Sequence, residues 1–281
     1  RTLHRVNVLQ EGSRNLLGDG INIGIWDGGP LVSHLDFLPA GRVVNVQTGT
    51  AIQHASHVAG TIGGKGIINP VARGMAPNAN MFSWDFNGDI QSEMAAGIPA
   101  NNLVITSHSY GFSFSGACDI TNSLLAYNSI ARNTDLNINN FPQHLHVHSA
   151  GNSQGSCAGV GGYFTITGSG KPAKNNLVVA NISSAENLSS SSSVGPVHDG
   201  RIKPEISGMG SSVFSISTPA NTYATLSGTS MATPGISGTA ALLYQRYKQL
   251  NANNNPPSAL IKNVICNTAK DLGNAGPDYK F

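Results

Sequence analysis

The stretch Leu226-Ser227-Gly228-Thr229-Ser230-Met231-Ala232-Thr233-Pro234-Gly235 decides how this chain is read. Residues 222–226 are strand-like, Gly228 permits a tight turn, and Ser230 opens a small-residue, apolar run with helical character. A serine there sits where unpaired N–H groups and the positive end of the helix dipole favour developing negative charge. Pro234 is expected in the first helical turn, where its missing donor costs little. Gly235, Gly238, Ala240 and Ala241 keep the helix slim, as for one that runs through a crowded core. The same residues also describe a Ser/Thr cap on an ordinary helix, so the remainder of the chain must decide.

Working outward, residues 21–26 alternate, are β-branched and deliver Asp27 at a strand end before Gly28-Gly29-Pro30. Ligand sites of parallel sheets lie at such carboxyl ends. His34 and Asp36 follow in a loop and read as structural. A strand over 42–47 leads to Gln53-His54-Ala55-Ser56-His57, opening a helix whose Ala59, Gly60 and Gly63 imply tight packing. His54 and His57 are three apart and can share a face. Metalloprotease helices space their histidines four apart around a Glu, which is absent here. Strands are expected over 78–86 and 103–106, with Asp89 capping a helix between them. A further helix is expected over 119–133, opened by Asp119 and carrying Ile120, Leu124, Tyr127 and Ile130 at helical spacing. Strand alternation places His144, His146 and His148 on one face, a conceivable zinc geometry, though packed core imidazoles are the expected role. Asn152 stands in the Gly-Asn turn that follows. Strands are expected over 176–182 and 212–217, a polar loop over 194–204, and a terminal helix with an apolar stripe of Leu260, Ile261, Val264 and Ile265.

Strands alternate with helices throughout, so the fold class is α/β: three layers, a mostly parallel central sheet and helices on both faces. The 281 residues show no linker or repeat and are expected to form a single domain, 1–281. Charged residues are only 11% and Gly, Ser and Asn fill the surface, a composition common in secreted proteins. Net charge is +2 without a long basic run, which argues against nucleic acid or an anionic membrane as partner. No apolar stretch is long enough to span a bilayer. The start at Arg1 is expected to be a processed mature end. The stretch that begins Asp85-Phe86-Asn87-Gly88-Asp89 lacks the glycine at the sixth position and the glutamate at the twelfth that a calcium loop needs. Cys118, Cys157 and Cys266 fit no zinc pattern, and the sequence leaves all three pairings open.

Asp27, His54 and Ser230, in that chain order, together with Gly228-Thr-Ser-Met-Ala-Thr-Pro234, His54 through Thr61 and Ser149-Ala-Gly-Asn152, resemble the subtilisin-like serine proteases (subtilases) from about residue 15 to residue 272. The resemblance implies a subtilisin-like fold and a secreted serine endopeptidase made as a zymogen with a propeptide, requiring no cofactor. It implies Ser230 as nucleophile, His54 as general base, Asp27 as the residue that orients it, and Asn152 as oxyanion donor, with His57 packed behind the catalytic face. Ser109, Tyr110 and Gly111 would bind the substrate as an extended strand. With Ser149, Ala150 and Gly151 they would wall the specificity pocket. A Cys118–Cys157 disulfide would staple the pocket's loops, leaving Cys266 a buried free thiol. Gly28 stands where relatives usually carry a small hydroxyl residue, so one hydrogen bond to Asp27 is expected to be missing. The loop 64–73 has no acidic residue for the calcium site of many relatives, and a structural calcium is left unplaced. The chain stops at Phe281, short of a common Gly-rich continuation, consistent with C-terminal trimming. The other readings are an acyl-transfer relative (a peptide ligase or cyclase), a peptide-binding pseudoenzyme, and a metal-dependent hydrolase on the His144/His146/His148 face.

Overall fold

The computed structural model describes residues 1–112, 126–154 and 161–281. Seven strands, β1 (Asn22–Asp27), β2 (Val43–Asn45), β3 (Asn80–Asp85), β4 (Ile105–His108), β5 (Leu145–Ser149), β6 (Leu177–Ile182) and β7 (Ile206–Met209), form one sheet. Its order is β2-β3-β1-β4-β5-β6-β7 and every pairing is parallel. Every residue of β4, β5 and β6 is buried, as in a sheet covered on both faces.

The helices are α1 (Val6–Gln10), α2 (Gln53–Gly63), α3 (Ile90–Ala100), α4 (Ser129–Asn140), α5 (Thr229–Leu250) and α6 (Ser258–Asn267). Alternation along β1 divides the core. Ile23 and Ile25 pack with Val58 and Ile62 of α2 and Ile236 and Ala240 of α5. Trp26 points the other way, stacks on Trp84 of β3 and packs with Met94 and Ile98 of α3. Burying each such side chain is worth about 1.5–3 kcal/mol, and this fixes which face of the sheet each helix covers. At Gly60 of α2 a Cβ would stand 2.8 Å from Ile216 Cβ, so the helix lies against its neighbour only because that position is glycine. No helix among the described residues is long and apolar enough to cross a membrane.

Several expectations shift. Strand β4 runs over Ile105–His108 and not 103–106, because pairing with β1 and β5 carries the polar Ser107 and His108 into the core. Among the described residues the helix expected over 119–133 is α4, which starts after Tyr127. Asn128 sets that boundary by accepting from the Ala131 N–H (3.1 Å). Residues 119–125 of that expectation lie outside the described residues, as do Cys118, Cys157 and their expected disulfide. Strand β7 does not show in the sequence, since Glu205-Ile-Ser-Gly-Met209 has too little alternation, and pairing with β6 makes it a strand. The strand at 212–217 leaves the parallel sheet: β8 (Val213–Ser217) and β9 (Thr222–Leu226) make an antiparallel hairpin against α2. Of the apolar stripe expected in α6 only Ile261 and Ile265 are buried, whereas Leu260 is exposed. Cys266 is a free thiol, half-buried and not buried, with its Sγ directed at the Glu205 carbonyl.

Candidate active site

Because β1, β4 and β5 are neighbours, their carboxyl ends bring Asp27, the segment 109–112 and the segment 149–153 to one edge of the sheet. The first turns of α2 and α5 add His54 and Ser230 at that edge. Residues separated by about two hundred positions meet there because strand ends and helix starts alternate along an α/β chain.

Asp27 is buried, with 1% of its surface exposed, and its Oδ1 lies 2.8 Å from His54 Nδ1. The same oxygen accepts from the Gly28 N–H at 2.7 Å. Its Oδ2 has no partner among the described residues, and Gly28 offers no hydroxyl to fill the gap. Burial alone would lower the His54 pKa. The hydrogen bond and charge of Asp27 outweigh it, and the net shift is upward. An Nδ1–H held by a carboxylate leaves Nε2 as the basic nitrogen.

Ser230 sits in the first turn of α5, where a helix leaves its N–H groups unpaired. Its hydroxyl donates to the Ser109 carbonyl at 2.9 Å. In return, the Ser109 hydroxyl donates to the Ser230 carbonyl at 3.0 Å. Pro234 explains this exchange. It lies in the second turn and not the first, four residues beyond Ser230, so the N–H that would meet the Ser230 carbonyl is missing. Ser109 supplies the donor from β4's extension. The double clasp ties the start of α5 to the edge of the cleft.

Asn152 is oriented by the same turn. Its Oδ1 accepts from the Thr229 N–H (3.0 Å) and Thr229 Oγ1 (3.1 Å), and Thr229 Oγ1 in turn accepts from the Gly151 N–H (3.1 Å). With the oxygen so occupied, the Nδ2 end is left to donate elsewhere. Gly228, at φ +147°, passes within reach of that amide, and a Cβ on it would be 3.2 Å from Nδ2.

A cleft of about 330 Å³ is lined by Tyr110, Gly111, Phe112, Ser149, Gly151, Asn152, Ser153, Lys171, Thr229 and Ser230. Ser109 and Ala150 do not line it. The Ser109 side chain turns to Ser230, and Ala150 points into a buried cluster with Ile166, Val178 and Val197. Lys171 is the residue that reading the sequence missed. It belongs to Gly168-Ser-Gly-Lys-Pro172, where neither residue type nor spacing marks it.

His57 is fully buried and its Nε2 bridges the Val213 (3.0 Å) and Ala224 (3.2 Å) carbonyls, pinning the β8–β9 hairpin. His34 accepts from the Asp36 N–H, and Asp36 holds Ile67 N (2.6 Å) and the Tyr223 hydroxyl (2.7 Å), so both are structural. His144, His146 and His148 are buried with His108. His108 stacks on His146 at 4.0 Å, His144 Nε2 meets Thr106 Oγ1 at 3.0 Å, and His148 Nδ1 donates to the Ser149 carbonyl at 3.2 Å. Burial lowers all four pKa values, those of His144 and His148 to about 3, so the imidazoles pack as neutral rings. Among the described residues no group of three His, Cys, Asp or Glu is placed to hold a metal ion.

The α/β fold with this parallel sheet is subtilisin-like, as its similarity to solved structures shows. The chain belongs to the subtilase family, whose pattern matches residues 18–281, and it is a serine endopeptidase. It is 31% identical over 273 residues to Subtilisin DY of Bacillus licheniformis, covering 92% of this chain and 86% of the relative. The fold is similar to that of the prenylagaramide maturation protease PagA (TM-score 0.68, 20% identity, 90% of this chain and 85% of that one). It is also similar to a cold adapted subtilisin-like serine proteinase (TM-score 0.65, 24% identity, 95% and 89%).

Proposed function

We propose that this chain hydrolyses peptide bonds through Ser230, His54 and Asp27. The observation that carries the reading is the 2.8 Å contact between buried Asp27 and His54, on the same sheet edge as a serine in the first turn of α5. His54 Nε2 takes the Ser230 proton as Oγ leaves the Ser109 carbonyl and attacks the scissile carbon. Asp27 stabilises the imidazolium, which then protonates the leaving amine. Water repeats the sequence on the acyl-enzyme. Asn152 Nδ2 and the Ser230 N–H meet the oxyanion, in a place where the helix dipole also favours negative charge. The substrate lies extended along Tyr110 and Gly111, pairing through its main chain, with Ser149 and Gly151 as the facing wall. This chemistry needs no cofactor. The low surface charge supports an extracellular site of action after removal of a propeptide.

The test is reaction with a fluorophosphonate followed by peptide mapping, alongside digestion of a peptide library. One adduct on Ser230, lost together with cleavage in His54→Ala, is the expected result. No adduct on folded protein refutes the nucleophile assignment. Product masses in the presence of an added amine distinguish hydrolysis from acyl transfer.

A further inference from the structure

The floor of the cleft holds a charge that the reaction does not use. Lys171 is 2% exposed, yet it lines the same cavity as Ser230 and Asn152. Its ammonium sits between the two walls: a Cβ on Gly111 would fall on Nζ, and one on Gly151 would be 3.2 Å from it. Both positions are glycine, which is what leaves room for it. Among the described residues Nζ has no hydrogen bond and no ion pair, in contrast with Lys203, which is equally buried but pairs with Glu205. Among the described residues the cleft lining contains hydroxyls, an amide, main chain and aromatic rings but no carboxylate. A desolvated cation without a partner is costly, and a group of opposite charge entering the cleft supplies the partner that the described residues do not.

We propose that Lys171 sets the specificity of this protease, selecting substrates with an acidic side chain, Asp or Glu, immediately before the scissile bond. The inference rests on Ser230 being the nucleophile, because only then does the cavity beside it receive that side chain. A carboxylate entering between Gly111 and Gly151 meets Nζ and replaces the solvation that burial removed. A Gln of the same shape leaves the ammonium without counter-charge, and a substrate Lys or Arg adds like-charge repulsion. The free amine titrates at about 8, lowered by desolvation. Among the described residues the ionisable groups around it are His148 of β5, held neutral by burial, and Tyr110, whose phenol pKa burial raises. Cleavage after Glu therefore declines as pH rises through about 8, while cleavage after Leu does not decline with it.

The experiment compares kcat/KM for succinylated tetrapeptide substrates that differ only in the residue before the scissile bond: Glu, Gln, Leu and Lys. Wild type and Lys171→Met are measured with Ser230 labelling by fluorophosphonate in parallel. Wild type is expected to favour Glu over Gln by about 10²-fold, and Lys171→Met to abolish or invert that ratio. The ratio is taken within each protein, so a partly folded variant does not distort it. Lys171→Gln gives a second test with a polar side chain. A wild-type ratio near one, or a preference for Glu that survives in Lys171→Met, while Ser230 still labels, overturns the role of Lys171 alone. Absence of labelling and of all hydrolysis overturns the protease reading on which it rests.

Discussion

The clasp between Ser109 and the first turns of α5 gives a prediction that can be worked in numbers. Ser109→Ala removes the hydroxyl that donates at 3.0 Å to the Ser230 carbonyl. Pro234 cannot replace it. Ser109 is 2% exposed, so water does not readily take over. A buried acceptor left without its donor costs about 1–3 kcal/mol. Pro234→Ala restores an N–H four residues along and should return most of that loss, but only where Ser109 has been removed. In the wild-type background its effect mixes a gain in helix propensity with lost packing and a freer unfolded chain. A double-mutant cycle separates these terms. Urea unfolding of the four proteins in a His54→Ala background, which removes self-digestion, should give a coupling of about 1 kcal/mol or more between the two sites. Additivity within about 0.3 kcal/mol would refute the argument that Ser109 stands in for the missing helical donor.

Asn152→Ala should lower kcat by about 10²–10³-fold with little change in KM, the loss known for one oxyanion donor in this family, and an unchanged kcat would remove Asn152 from the reaction. Since Asp27 raises the His54 pKa, activity should fall as pH drops through a value above the ordinary imidazole one, and residual Asp27→Asn activity should persist to lower pH; a pH–rate profile whose acid limb does not move contradicts this. Burial lowers the pKa of His144 and His148 to about 3 and of His4 and His57 to about 4. The unfolded chain then binds more protons than the native one, so stability is full above about pH 6.5 and is lost as pH falls toward the folded values. At pH 5 each of these histidines withholds about 2 kcal/mol, together comparable with the stability of a whole domain. Denaturant midpoints measured from pH 4.5 to 7 should show this fall, and His144→Gln should flatten it; an unaltered slope would mean His144 titrates normally in the fold.

Much of the molecule was legible in its residues. Asp27 at a strand end, His54 opening a small-residue helix and Ser230 after Gly228 are local patterns, since a turn, a cap and a helix start are each set by neighbours in sequence. Resemblance then joined them into one constellation. The alternation that made β1, β3, β5 and β6 recognisable is equally local, because a side chain's face depends only on parity along the strand. Strand β7 and the true extent of β4 were not legible. Their residues are polar or sparse in β-branched types, and pairing with β6, β1 and β5 makes them strands.

What the sequence by itself determined is the α/β alternation and the residue types offered at the ends of its elements. Tertiary structure alone decided where those ends point. It turned Ser109 toward a carbonyl orphaned by Pro234, sent Ala150 into the core, and closed Lys171 between two glycines with no counter-charge among the described residues. Each of these depends on contacts between segments tens to more than a hundred residues apart. Such contacts are fixed by sheet order and by how closely helices can approach, quantities that no local window of sequence contains.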